Sequence, residues 1–113
     1  MHKLIALISR LPNLSKDEFA EYYEHHHVPL IKKLFPMISQ YKRNFLSQDP
    51  KVEGNVGPAN FDVITEFWFH DDHSLDEFWS KTEDPNVVKL IMEDESHFID
   101  SARTQIYVVK EHE

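Results

Sequence analysis

FDVITEFWF, residues 61–69, is a strand with two unlike faces. Successive side chains of a strand point to opposite sides, so Phe61, Val63, Thr65, Phe67 and Phe69 share one face. Asp62, Ile64, Glu66 and Trp68 share the other. One face suits a helix-covered core. The other mixes apolar bulk with carboxylates, so it must be accounted for separately.

The neighbouring segments fill in the fold. Upstream, residues 47–60 hold both glycines, Gly54 and Gly57, with two prolines and several polar residues, which predicts a loop. A loop this long in a small domain is functional or mobile in many proteins. Before it, residues 38–46 (ISQYKRNFL) alternate in part and predict a strand. Residues 3–10 (KLIALISR) are short and nearly continuously apolar, which predicts a strand covered on both faces. Ser15-Lys16-Asp17-Glu18 is a capping box. It opens a helix predicted over residues 16–34, bent near Pro29 and ended before Pro36. Downstream, Asp72-His73-Ser74 opens a second helix, with a further capping box at Ser74-Leu75-Asp76-Glu77. A third helix begins at Asp84-Pro85, where proline suits the first turn. Residues 104–110 (TQIYVVK) form the last strand.

Strand, helix, strand, strand, helix pair, strand is the split βαβ, ferredoxin-like order. It predicts an α+β domain, with a four-stranded antiparallel sheet and helices on one face. Ile64, Trp68, Tyr107 and one face of the first strand are then left bare, and a bare apolar face calls for a partner. A second copy of the same sheet is the economical cover, because most soluble oligomers are symmetric homodimers. Two such sheets would form a barrel around an intersheet pocket.

Composition sets the outer bounds. The 113 residues make a single domain, residues 1–113. A chain of this size buries roughly two-thirds of its unfolded surface, which leaves little room for a deep private pocket. The formal charge of −8 repels phosphate backbones, which argues against nucleic acid and anionic membranes as partners. Without cysteine there is no disulfide and no thiolate metal site. The apolar run at Leu4–Ile8 is too short for a signal-peptide core or a membrane span, so a cytoplasmic location is expected.

The chemistry concentrates in Tyr22-Tyr23-Glu24-His25-His26-His27-Val28-Pro29-Leu30. Phe19, Tyr22, Tyr23, His26, Leu30 and Leu34 recur at helical spacing, with His27 on the flank of that stripe and His25 toward solvent. Pro29 has no N–H, so the carbonyl of His25 loses its helical partner. Histidine titrates near neutrality and carries protons in many sites. His27 is thus a candidate proton carrier; the alternative is a structural histidine bonded to a freed carbonyl. Three consecutive histidines point about 100° apart and cannot converge on one ion, so no metal is expected. His70-Asp71-Asp72-His73 reads as a solvated turn.

The pattern Leu4-Ile5-Ala6-Leu7, Phe19…Tyr22-Tyr23…His27-Val28-Pro29-Leu30, Tyr41, Asp62…Glu66-Phe67-Trp68-Phe69 and Asp94-Glu95…Phe98-Ile99-Asp100…Glu111-His112 resembles EthD-domain proteins of the dimeric α+β barrel group. The resemblance spans nearly the whole chain. It implies a ferredoxin-like protomer, a barrel dimer and an intersheet pocket. Some relatives act as cofactor-free decarboxylases or dehydratases in aromatic polyketide pathways. His25 and His26, just before the matching histidine, depart from the pattern.

These readings combine into a cofactor-independent enzyme of lyase or isomerase type, acting on a small aromatic or polyketide-like carbonyl compound. His27 would move the proton, with Tyr23 and Glu66 positioning or polarising the substrate. Trp68 would stack on it. His26, Asp62, Tyr22 and His97 are further candidates for substrate contact, although His26 also suits a core role and His97 a favourable place near a helix C-terminus. Asp62 and Glu66 lie about 13 Å apart along one strand face, too far to share a proton. Glu66 has a structural alternative, a salt bridge to Arg43 or Lys42. No Gly-rich loop for a nucleotide cofactor is visible. A non-catalytic binder of a small hydrophobic or aromatic ligand, and a cofactor-free oxygenase of quinol-like substrates, are the alternatives.

Overall fold

The computed structural model describes residues 1–48, 51 and 60–113, so most of the loop expected at 47–60 lies outside the described residues. Four antiparallel strands, β1 (His2–Ile8), β2 (Gln40–Phe45), β3 (Val63–Phe69) and β4 (Gln105–Val109), stand in the order β2-β3-β1-β4. Four helical segments, α1 (Lys16–Tyr22), α2 (Val28–Leu34), α3 (Asp72–Thr82) and α4 (Pro85–Glu95), cross one side of the sheet. The order is the ferredoxin-like one.

Register sorts the side chains into rows. On the open side, Asn44, Ile64, Leu7 and Gln105 make one row, and Lys42, Glu66, Ile5 and Tyr107 the next. On the helix side, Leu4, Ala6, Ile8, Val63, Thr65 and Phe69 are buried. The alternation predicted for residues 61–69 therefore holds. β1 departs from expectation in one respect. Its apolar run is covered by helices on one face only, and Ile5 and Leu7 are left half-buried on the other.

The first helix carries the main surprise. It is not broken at Pro29. A π turn, Tyr23–His27, joins α1 to α2, and the Val28 N–H donates five residues back to the Tyr23 carbonyl. Pro29 then falls in the first turn of α2, where its missing N–H costs little. The wide turn also moves the buried stripe. In a straight α-helix Leu30 would lie about 20° from Phe19 and Ile31 about 120° away. The π turn absorbs an extra residue. Accordingly Ile31 is buried in place of Leu30, and His27 in place of His26, which is exposed. The core role expected of His26 is thus corrected.

Capping explains the element starts. Ser15 and Glu18 form the reciprocal capping box. α3 starts at Asp72 as expected, but its cap is Asp71 and not Ser74: the Asp71 carboxylate accepts from the Ser74 N–H. An ionised acceptor makes the stronger bond to an orphan helix amide. Asp84 caps α4, with Pro85 following it as expected.

Two apolar clusters hold the layers together. Phe19, Tyr23, Val28, Phe98 and Ile99 pack on Ala6, Ile8 and Val63. Ile31, Phe35, Phe78 and Val87 pack on Leu4 and Phe69. Each fully buried phenylalanine contributes about 2–3 kcal/mol. Arg43 ties β2 to the π turn through a paired contact with Glu24, Nε to Oε2 at 2.8 Å and Nη2 to Oε1 at 2.9 Å.

Candidate active site

Between the sheet and the helices lies a cavity of about 350 Å³. Its walls are almost wholly apolar, including Leu4, Ile31, Phe67, Phe78 and Ile91. The polar side chains facing it are those of Tyr23, His27 and Glu95, together with Thr82 and Thr104.

His27 is 5% exposed. Its Nδ1 lies 2.6 Å from Oδ2 of Asp94, across 67 positions of sequence. Asp94 also accepts a bond from the Tyr22 hydroxyl through Oδ1, at 2.8 Å. Burial alone would push Asp94 up. The hydrogen bonds from His27 and Tyr22, with the nearby imidazoles of His27 and His97, outweigh it and hold the carboxyl below its usual range. An ionised carboxylate only accepts, so Nδ1 is the donor. In the neutral ring the other nitrogen, Nε2, then carries a lone pair, and it has no hydrogen-bond partner among the described residues. This is the relation by which a carboxylate fixes the tautomer of a histidine base.

Tyr22 completes the clamp. Burial, with the hydrogen bond to Asp94 and its charge, pushes the Tyr22 hydroxyl up to about 12. Its ring stacks on His26 at 4.7 Å and lies 5.7 Å from His97. Both of those histidines are on the surface. Tyr22 therefore positions Asp94 and does not line the cavity.

Tyr23 is fully buried, and its hydroxyl shares a 2.6 Å bond with Thr65 Oγ1. Burial drives its phenol above the ordinary range. The Tyr41 hydroxyl is buried without a well-formed partner, close enough to Tyr23 for the two phenols to disturb one another. Phe98 touches the rings of Tyr22, Tyr23 and His27 at 4.8, 5.5 and 5.0 Å and so seats the whole group.

The remaining predicted site residues stand elsewhere. Glu66 and Trp68 lie on the open side of the sheet, away from His27. The Glu66 carboxylate is 3.8 Å from Lys3 Nζ and accepts from Asn44 Nδ2 at 2.9 Å, so its partners are neither Arg43 nor Lys42. Lys3 Nζ sits 4.5 Å above the Trp68 ring. Asp62 holds Arg10, through its backbone N–H at 2.8 Å and Nε at 3.2 Å. The cavity of this chain is thus on the helix side of the sheet, not on the open side where the intersheet pocket was expected. It brings His27 and Tyr23 together and leaves Glu66, Trp68, Asp62, His26 and His97 outside. Among the described residues, no group of three His, Asp or Glu side chains is placed to hold a metal ion.

Asp94 and Glu95 were not singled out from the sequence for a role. A signal existed. Two acids in the last turn of a helix oppose its dipole, and a locally unfavourable choice of that kind marks a residue used elsewhere.

Comparison with known proteins agrees with this architecture. The EthD domain model matches residues 11–102. No curated protein is matched. Among solved structures, an EthD family protein from Bacillus halodurans superposes with a TM-score of 0.67 at 20% identity, over 99% of this chain and 100% of that one. HapK from Hahella chejuensis gives 0.62 at 11% identity, over 99% and 93%. A protein from Thermobifida fusca described as dimeric, ferredoxin-like and of unknown function gives 0.55 at 12% identity, over 97% and 90%. Among the described residues, no helix is long and apolar enough to cross a membrane.

Proposed function

The chain belongs to the EthD-domain family, and from that membership we propose that it is a cofactor-independent enzyme of lyase or isomerase type, acting on a small aromatic or polyketide-like carbonyl compound. One observation carries the reading: His27 is held by Asp94 at 2.6 Å with its second ring nitrogen unpartnered, on the wall of an apolar cavity. A buried base of this kind removes a proton from carbon next to a carbonyl when the substrate sits within hydrogen-bond reach. Asp94 stabilises the imidazolium that forms. The apolar surroundings of the buried His27–Asp94 contact strengthen that charge interaction by lowering the local dielectric. Tyr23 shapes the wall, and its hydroxyl stays protonated.

The test is turnover of a panel of aromatic ketones and β-keto acids, followed by NMR. His27→Gln should lose at least about a hundredfold in rate, with acetophenone binding and melting temperature little changed. Full activity in that variant would sink the assignment.

A second reading, a non-catalytic binder of the same ligand class, is favoured by how apolar the walls are. It predicts ligand binding with no pH-dependent turnover near neutrality.

The active form in either reading is a homodimer. Ile5, Leu7, Ile64 and Trp68 leave an apolar face on the open side, beside exposed Tyr107. A second copy is the cover that the dimeric Thermobifida neighbour supports. Sedimentation showing only single subunits at micromolar concentration would remove this element.

A further inference from the structure

Glu95 is the one carboxyl among the residues that line the cavity. It stands in the last turn of α4 and lines the same space as His27. Its carboxyl has no hydrogen bond and no ion pair among the described residues. Asp94, its immediate neighbour, is in the opposite condition, with both oxygens bonded. Adjacent helix residues point about 100° apart. Asp94 can therefore grip His27 and Tyr22 from behind while Glu95 turns toward the cavity.

We propose that Glu95 is the proton donor that works with His27, making the cavity a site for enolising a small apolar ketone. The inference rests on the His27 reading and adds a second catalytic residue and a narrower substrate class. His27 Nε2 takes the proton from the carbon beside the carbonyl. The C–H electron pair becomes the new C=C bond, and the carbonyl π pair takes the proton of Glu95. The product is a neutral enol, facing an imidazolium and a carboxylate. Returning one proton to the α carbon and the enol proton to Glu95 closes the cycle; in a β,γ-unsaturated ketone the conjugated dienol can instead take the proton at the γ carbon, which moves the double bond and isomerises the substrate.

Geometry and burial support the assignment. A carboxylate without a partner is costly in an apolar wall, so the acid form is favoured there. In line with this, burial pushes Glu95 above the usual carboxylate range; the His27 charge works against the rise and the Asp94 charge adds to it. The titratable groups facing Glu95 are His27 and Tyr23 from the first helix and Asp94 on its own helix. The strands and α3 bring only apolar side chains and the hydroxyls of Thr82 and Thr104.

The experiment is exchange of the methyl protons of acetophenone in D2O, followed by proton NMR across pH. The wild type should exchange faster than buffer with a bell-shaped profile. Glu95→Gln, which fits the same space, should slow exchange at least about tenfold and remove one limb of the bell; Glu95→Asp should restore part of the rate. His27→Gln should remove the other limb. If His27→Gln is dead and Glu95→Gln matches the wild type in rate and profile, Glu95 is not the donor and the His27 reading stands. If the wild type does not exchange the probe, enolisation is wrong for this cavity. A measurement that needs no substrate is carbon NMR of labelled glutamate. Glu95 should titrate above the other glutamates, with a midpoint moved by His27→Gln. An ordinary, unmoved midpoint overturns the proposal.

Discussion

The helix side and the open side of the sheet come from the same four strands, one residue out of step, and hold their polar groups in opposite ways. On the helix side, Asp94 binds His27 and Tyr22 through short bonds, and nearby Glu95 has no partner. On the open side, Lys3 lies between Glu66 at 3.8 Å and Glu111 at 2.5 Å, above the Trp68 ring. The lesson concerns surroundings. In the low-dielectric layer between sheet and helices, two adjacent acids are driven apart, one held below its ordinary range and one above. On the open side the charges pair with one another across the strands.

The contrast can be broken most forcefully at Phe98. Phe98→Ala removes the ring on which Tyr22, Tyr23 and His27 rest and should cost about 3–5 kcal/mol, read as a lower urea midpoint. A loss below 1 kcal/mol would mean that the layer is not packed as described. The next largest effect should come from Asp94→Asn. Its amide can donate to Nδ1, which moves the ring proton to Nε2 and removes the base. Activity should fall by about a hundredfold or more with modest loss of stability. An unchanged rate would leave the Asp94 contact as packing alone.

A pH series sharpens the same point. Asp94 has its carboxyl lowered in the fold, so its contribution is present above the unfolded value, about 3.9, and is lost as pH falls through the folded one. The stability gap between wild type and Asp94→Asn should therefore narrow on acidification below about pH 4. Glu95, raised in the fold, has the opposite sign. Its acid form is favoured below the unfolded value, and that contribution is lost as pH rises through the folded one. Glu95→Gln should therefore gain most over the wild type on the alkaline side. Thermal melts from acid to alkaline pH give both slopes; parallel curves would contradict the opposed environments. The smallest effect belongs to the open side. Glu66→Gln weakens a 3.8 Å pair and should change stability by less than about 1 kcal/mol, leaving turnover intact. A large drop in activity there would return Glu66 to the active site.

Much of this was legible in the chain. The alternation of residues 61–69, the capping box at Ser15 and the Asp84-Pro85 start all read correctly, because each depends on residues within a few positions of one another. The position of His27 was legible only in part. Its helix was evident, yet the stripe read from a regular 3.6-residue period favours His26. The π turn before Pro29 shifts the face by one residue, and a fixed period cannot register an extra residue in a turn. Glu66 and Trp68 read correctly onto the bare face of the sheet; nothing local says that the His27 cavity opens on the other side.

The sequence by itself determined the order of elements, the two faces of each strand and a histidine-rich stretch on the first helix, since periodicity and capping are short-range. Only the tertiary structure decided that His27 is buried, that its partner is Asp94 of α4, and that Glu95 shares its cavity. Those relations join residues 67 and 68 positions apart. They arise from the docking of α4 against the π turn, where burial sets which charges are held and which are left open.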